Sequence, residues 1–86
     1  MPITHNDLFN NGKGIFVSGL EGSPVVKSNN IVQSKTAAID VGCSEGTTVE
    51  NNFIASAPIG IANVTAEDIV KRNTFYSVTT ATTACP

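Results

Sequence analysis

Three carboxylates, Asp40, Glu21 and Glu45, are the side chains of this 86-residue chain best suited to chemistry. Glu21 and Glu45 each precede a glycine and lie eight and seven residues before an asparagine of the repeat described below. We expect them to stack in neighbouring turns, where carboxylates about 5 Å apart repel unless a cation or a lysine intervenes. The sequence predicts a solvated column partly neutralised by lysine. The alternative is a weak Ca²⁺ or ligand column, for which Glu21, Glu45 and Asp40 are the candidates.

Asp40 is expected on an outward strand position between Phe16 and Ala62 of the neighbouring repeats. One carboxylate between an aromatic ring and a methyl group makes neither a calcium site nor an acid–base pair. We therefore predict a solvated strand residue at Asp40, with no catalytic residue, no metal and no cofactor. The single histidine, His5, has no serine or cysteine partner fixed by a motif, so a nucleophilic triad has no support.

Composition excludes several classes of function. Five Lys and Arg against seven Asp and Glu give a net charge of −2, which is not the basic footprint of a nucleic-acid-binding protein. No apolar run approaches the ~20 residues of a membrane span. Residues 1–4 lack the basic and apolar parts of a signal peptide, so the default expectation is a cytoplasmic protein. We expect neither nucleic acid nor membrane as a partner.

A repeat of just over twenty residues organises the chain. An apolar residue, two others, an asparagine, one other and a second apolar residue recur around Asn6, Asn29, Asn52 and Asn73, in steps of 23, 23 and 21. A second block follows the first three asparagines, as Gly14-Ile15-Phe16-Val17, Ala38-Ile39-Asp40-Val41 and Gly60-Ile61-Ala62-Asn63. Two linked patterns that hold register over three periods indicate a stacked repeat fold.

This period, with about three short strands in each unit, is typical of a parallel β-helix. We predict one all-β domain over residues 1–86, with coils at about 3–25, 26–48, 49–69 and 70–86. Stacked coils lie about 4.8 Å apart, so inward Ile and Val form columns. The four asparagines, which suit turns because they tolerate left-handed conformations, form a side-chain ladder as structural residues. In the second coil the strands are expected at Val25–Ser28, Asn30–Gln33 and Ala38–Val41.

Three local features are less regular. Thr65 to Asp68 could begin a helix with Thr65 as N-cap, but the repeat register favours a turn. The Thr-rich segment 77–86 is predicted to be a frayed final strand or a polar cap. Cys43 and Cys85 should lie about 9.6 Å apart along the axis, two coils from each other. A disulfide needs Cα atoms within about 7 Å, so we expect two reduced thiols, which suit a reducing compartment.

The motif Val26-Lys27-Ser28-Asn29-Asn30-Ile31, followed by Ala38-Ile39-Asp40-Val41, resembles the repeats of the pectate-lyase-like superfamily. The resemblance covers residues 3 to about 78 and implies a right-handed parallel β-helix. It says little about activity, because that superfamily includes polysaccharide lyases, hydrolases, alginate epimerases and phage tailspikes. Its enzymes use paired acids and a base on an outer face, and the outward Phe16, Asp40 and Ala62 do not supply them.

The ends of so short a solenoid lead to a functional hypothesis. Four coils expose open strand edges and a cross-section of apolar core at both ends, and natural proteins cap, charge or pair such edges. We predict a non-enzymatic structural module that associates with itself as a dimer or trimer, with Phe16 as a candidate interface residue. The alternatives are a carbohydrate-binding or carbohydrate-processing remnant of a pectate-lyase-like protein and a structural fragment of a phage or mobile element.

Overall fold

The chain winds into a parallel β-solenoid of about three turns. This computed structural model describes residues 2–10, 12–17, 24–43 and 45–85. In those residues there are ten strands and no helix. The strands are β1 (Pro2–Thr4), β2 (Asp7–Phe9), β3 (Lys13–Phe16), β4 (Val25–Lys27), β5 (Asn30–Val32), β6 (Ala37–Asp40), β7 (Thr48–Glu50), β8 (Phe53–Val64), β9 (Ile69–Lys71) and β10 (Thr74–Ala84).

The strands form three faces, and each coil contributes one strand, or one part of a long strand, to each face. The first face contains β1, β4, β7 and β9 in that order. The second contains β2, β5 and the first parts of β8 and β10, and the third contains β3, β6 and the second parts of β8 and β10. All pairings are parallel, as predicted. Four strands stack on each face through three junctions, which gives about three turns and is close to the four coils predicted. We number these four layers coils 1 to 4 by the asparagines Asn6, Asn29, Asn52 and Asn73.

Single left-handed residues make the corners between faces. His5, Ser28, Asn51 and Arg72 have φ between 54° and 57°, and each directly precedes the ladder asparagine of its coil. A second set, Asn10, Gln33, Ser56 and Ser77, has φ between 54° and 60° where the chain passes from the second face to the third. The turn is thus made by the residue before the ladder asparagine, and the asparagine serves the side-chain ladder.

Aliphatic columns fill the interior. The fully buried large residues include Ile31, Ile39, Ile54, Ile61, Val26 and Val49. The small residue that opens each second block makes room for this core. A Cβ on Gly60 would meet the Phe75 ring and lie 2.6 Å from the Ala81 carbonyl oxygen. A Cβ on Gly14 would lie 2.7 Å from Cγ2 of Ile31.

The strands predicted in the second coil match β4, β5 and β6 to within a residue at each end. Residues 65–68 form a turn closed by the Asp68 N–H, which donates to the Thr65 carbonyl oxygen at 3.2 Å. The prediction of fraying in the tail is wrong. β10 continues to Ala84 in parallel pairing with β8 of the preceding coil. Its β-branched threonines favour the extended strand conformation that this pairing requires.

Candidate assembly site at the ends of the solenoid

Asn52 shows how the ladder works inside the solenoid. Its Oδ1 accepts the backbone N–H and an Nδ2–H of Asn29, both at 3.0 Å. Its Nδ2 donates to Oδ1 of Asn73 at 2.9 Å and to the Val26 carbonyl oxygen at 3.1 Å. Asn52 is 1 % exposed. The predicted ladder is therefore present, and its buried amides are bonded in both directions.

The same four hydrogen bonds recur at each of the three junctions between coils. The asparagine of the earlier coil donates its backbone N–H and an Nδ2–H to Oδ1 of the next asparagine. The later asparagine donates from Nδ2 to the carbonyl three residues before the earlier one. The residue after the later asparagine donates its N–H to the carbonyl of the earlier asparagine, at 2.8 Å each time.

This ladder has a direction, so its two ends differ. Among the described residues, nothing donates to Oδ1 of Asn6 and nothing accepts the backbone N–H of Asn73. The Asn6 carbonyl points toward coil 2, where it accepts the Asn30 N–H. The Asp7 N–H belongs to the same trans peptide, so it points the opposite way, along the axis and out of the coil 1 end. The Thr74 N–H points toward coil 3, where it donates to the Asn52 carbonyl. The Asn73 carbonyl, on the same peptide, therefore points out of the coil 4 end. Acceptor Oδ1 at one end therefore matches donor N–H at the other.

The apolar core is also open at the coil 4 end and, on the first two faces, at the coil 1 end, whereas Ile15 and Val17 of coil 1 are buried. Ile3 and Leu8 in coil 1, and Val70, Phe75 and Val78 in coil 4, pack on the core but are only partly buried. Their column neighbours in coils 2 and 3 are almost all fully buried. Each end of the described solenoid thus presents an apolar patch surrounded by strand edges.

Two exposed aromatic residues stand at opposite ends of one outward column. Phe9 is 61 % exposed and Tyr76 is 67 % exposed. The register aligns Phe9 with Val32, Val32 with Ala55 and Ala55 with Tyr76 on the second face. These positions are spaced by 23, 23 and 21 residues, as the asparagines are. The column of Phe9 and Tyr76 could therefore have been predicted from the sequence, but our sequence analysis did not include it.

Phe16, the predicted interface residue, lies on the third face in coil 1 and is 57 % exposed. Its register with Asp40 and Ala62 is as expected. The Lys13 ammonium lies 4.5 Å from the centre of its ring. Phe16 is therefore at the rim of the coil 1 end, partly covered by a cation.

The prediction that Asp40 is a solvated residue is wrong. Asp40 is 5 % exposed, because neighbouring coils cover it with polar partners. Its Oδ2 lies 2.9 Å from Lys13 Nζ. Its Oδ1 accepts from the Gly42 N–H at 2.8 Å and from Nδ2 of Asn63 at 2.9 Å. The sequence placed Asp40 correctly but did not reveal that Lys13 and Asn63 reach it across the stack.

These partners also set the charge state of Asp40. Burial raises the pKa of its carboxyl, but hydrogen bonds from Asn63, Lys13 and the Gly42 N–H, together with the Lys13 charge, lower the pKa below its ordinary value. Asp40 is therefore an anion held by donors on three sides, and its oxygens are already engaged. That arrangement suits a structural carboxylate better than a general acid or base.

The expected column of Glu21 and Glu45 is not visible in the described part of the chain. Glu21 lies outside the described residues, and Glu45 is exposed in a turn. Asp68 is the acid that organises this corner, since its Oδ1 accepts the Thr47 N–H and its Oδ2 accepts the Thr65 N–H, both at 2.8 Å. The described residues contain no cluster of three His, Cys, Asp or Glu side chains that could hold a metal ion.

The prediction of two reduced thiols is also wrong, since Cys43 and Cys85 form a disulfide with Cα atoms 5.4 Å apart. The estimate of 9.6 Å assumed straight stacking. Instead Gly42 and Cys43 are both left-handed, with φ of 63° and 60°, so the chain departs from the regular coil geometry at this corner. The backbone N–H of Cys43, from coil 2, donates to the Asn63 carbonyl, and that of Cys85, from coil 4, donates to the adjacent Val64 carbonyl. The disulfide removes the argument for a reducing compartment.

The described residues form no pocket for a small ligand and contain no helix long and apolar enough to cross a membrane. His5 is an exposed corner residue. No protein-family model matches the chain, and no curated protein and no solved structure is detectably similar to it. The candidate functional surface is the pair of ends of the described solenoid, where partly buried apolar side chains adjoin unpaired ladder groups.

Proposed function

We propose that the chain is a structural module that associates with copies of itself through the ends of its solenoid. The observation that carries this proposal is the apolar core left open at both ends by Ile3, Leu8, Val70, Phe75 and Val78. Contact between two ends would remove this apolar surface from water. It would also pair strand edges that otherwise offer unbonded N–H and C=O groups.

The size of the ends is sufficient for such a contact. Because coils stack about 4.8 Å apart, the axis is the shortest of the three principal extents, and the other two, 29 and 27 Å, enclose an end of roughly 600 Å². Two ends in contact would then bury on the order of 1,000 Å² in total, near the lower limit for a specific interface. A concentration-dependent, reversible association is the expected behaviour.

The test is the solution mass measured by light scattering or sedimentation at micromolar concentration. Wild-type protein should exceed 8.9 kDa, and Leu8→Lys should return it to the monomer because a charge would have to be buried in the contact. Val32→Lys is the matched control, since it adds the same charge to an outward position in the middle of the second face. A monomeric wild type would reject end-to-end contact. So would a result in which Val32→Lys is monomeric while Leu8→Lys still associates.

A second candidate function is carbohydrate binding, as the resemblance to the pectate-lyase-like superfamily suggests. What favours it is that Phe9, Phe53 and Tyr76 lie exposed on the same face, where aromatic rings could stack on sugars. Gel retardation in pectate or alginate tests it. Phe53→Ala, in coil 3 and away from both ends, should reduce retardation without changing the solution mass. Unchanged migration of the wild-type protein would remove this candidate.

A further inference from the structure

We propose that association through the ends is head-to-tail, so that coil 4 of one copy stacks on coil 1 of the next and the solenoid continues as an open filament. This inference rests on the proposed function and adds a direction to it. Its basis is the polarity of the asparagine ladder, which gives the two ends complementary hydrogen-bonding groups.

Every bond of an internal junction could form again at a head-to-tail joint. Asn73 would donate its backbone N–H and an Nδ2–H to Oδ1 of Asn6 in the next copy, as Asn52 donates to Asn73 at 3.1 and 2.9 Å. Nδ2 of Asn6 would donate to the Val70 carbonyl, three residues before Asn73. The outward Asp7 N–H would donate to the outward Asn73 carbonyl, which continues a series of three 2.8 Å bonds.

The side-chain columns match in the same register. Val70 would stack on Ile3 of the next copy and Phe75 on Leu8, which closes the open core. On the second face, Tyr76 would become the direct neighbour of Phe9. Aromatic pairs on adjacent strands stabilise sheets, and these two residues lie at opposite ends of a single molecule. A head-to-tail joint is the arrangement that brings them together.

The other two end-to-end arrangements lack this match. Head-to-head contact would set the Asn6 Oδ1 acceptors of two copies against each other, and tail-to-tail contact would oppose the Asn73 N–H donors. Both would also make the strands antiparallel across the joint. A head-to-tail interface uses two different surfaces, so without closure into a ring it continues indefinitely.

Two variants, each blocked at one end, test the direction. Leu8→Lys blocks the coil 1 end and Val70→Lys blocks the coil 4 end, with the lysine stem retained as packing. Circular dichroism and thermal unfolding first establish that each folds. Should either fail to fold, Phe9→Pro and Thr74→Asp replace the pair. The Phe9 N–H faces outward by strand alternation and Pro removes it, whereas Thr74→Asp opposes Asp7 of the next copy.

Head-to-tail stacking predicts that each variant alone stays at 8.9 kDa and that an equimolar mixture forms a 1:1 heterodimer of twice that mass. Wild-type mass should instead rise continuously with concentration. A homodimer of one variant alone would overturn the direction and leave end association intact. Homodimers of both variants would overturn the direction in the same way, whereas self-association of the double variant Leu8→Lys/Val70→Lys, blocked at both ends, would overturn end association itself. Two monomers that stay monomeric when mixed would also overturn the direction, because the intact ends would have been shown not to join.

Discussion

At the scale of single residues, the turn and the side-chain ladder are made by two neighbouring residues in each coil. In each coil the residue before the ladder asparagine takes the left-handed conformation, and the asparagine amide bonds the coils on either side. An isolated buried amide would be costly. Stacked amides satisfy one another, so the ladder depends on the neighbours of each member.

Asn52→Leu should therefore destabilise the fold by about 1–3 kcal/mol. It removes the acceptor of the Asn29 backbone N–H and of one Asn29 Nδ2–H, together with the amide bonds to Oδ1 of Asn73 and to the Val26 carbonyl. Asn6→Leu is the matched variant, and it should cost less because Asn6 is exposed and closes only one junction. Urea unfolding at a fixed protein concentration measures both. Equal losses would contradict the role of the buried ladder.

The lowered pKa of Asp40 predicts how the free energy of unfolding depends on pH. A carboxyl group whose pKa falls on folding stabilises the folded state above its unfolded pKa, here near 3.8. That contribution is lost as the pH falls from there through the folded pKa. The stability difference between wild type and Asp40→Asn should be constant above about pH 5 and shrink in acid.

Acid unfolding followed by circular dichroism measures this difference. Lys13→Met serves as a control, since it removes the cation and should weaken the acid dependence while leaving the Asn63 and Gly42 bonds to Asp40. Identical pH profiles for wild type and Asp40→Asn would contradict a paired carboxylate at this position.

At the scale of strands and corners, the sequence predicted more than it did for side-chain contacts. The period of 23, 23 and 21, the second-coil strands and the asparagine ladder follow from apolar and asparagine spacing, which repeats through the chain. The Lys13–Asp40–Asn63 contacts do not, because they join coils through residues that have no repeated pattern. Ser28 and Ser56 as left-handed corners were also missed, since serine carries no strong preference for that conformation.

The corner at Ser56 gives a test at this scale. Ser56 has φ of 57°, a conformation that costs a non-glycine residue roughly 1–2 kcal/mol. Ser56→Gly should be neutral or stabilise by up to about 1 kcal/mol, and Ser56→Val should destabilise because β-branched residues fit this region worst. Thr80→Val, on an exposed strand position, should change little. Thermal unfolding separates these outcomes, and a stable Ser56→Val would contradict the corner geometry.

At the scale of the whole molecule, the disulfide ties the second coil to the last. The sequence could not predict it, because a stacking distance per coil says nothing about two consecutive left-handed residues at Gly42 and Cys43. Its sequence separation of 42 residues closes a loop that contains most of coils 3 and 4. Cross-links over loops of this size stabilise mainly by restricting the unfolded chain.

Reduction should therefore destabilise the fold by up to about 4 kcal/mol on the chain-entropy argument. A variant with both Cys43→Ser and Cys85→Ser should unfold at the temperature of the reduced wild type and show no response to reductant. Calorimetry with and without reductant measures the shift. A double variant as stable as the oxidised protein would show that the bond is dispensable.

The one-way ladder also gives the solenoid an electrical polarity. Oδ1 of Asn29, Asn52 and Asn73 accepts from the coil before it, and one Nδ2–H of Asn6, Asn29 and Asn52 donates to the coil after it. The C=O dipoles of these side chains therefore add along the axis, although the second Nδ2–H of each later asparagine points back to the earlier coil, whereas the backbone dipoles alternate between the two directions and largely cancel. Partial positive charge collects at the coil 4 end, as at the N-terminus of a helix. Hydrogen bonds in such a chain polarise one another, so each added copy would strengthen the dipole of the stack, and a long stack would orient in an electric field.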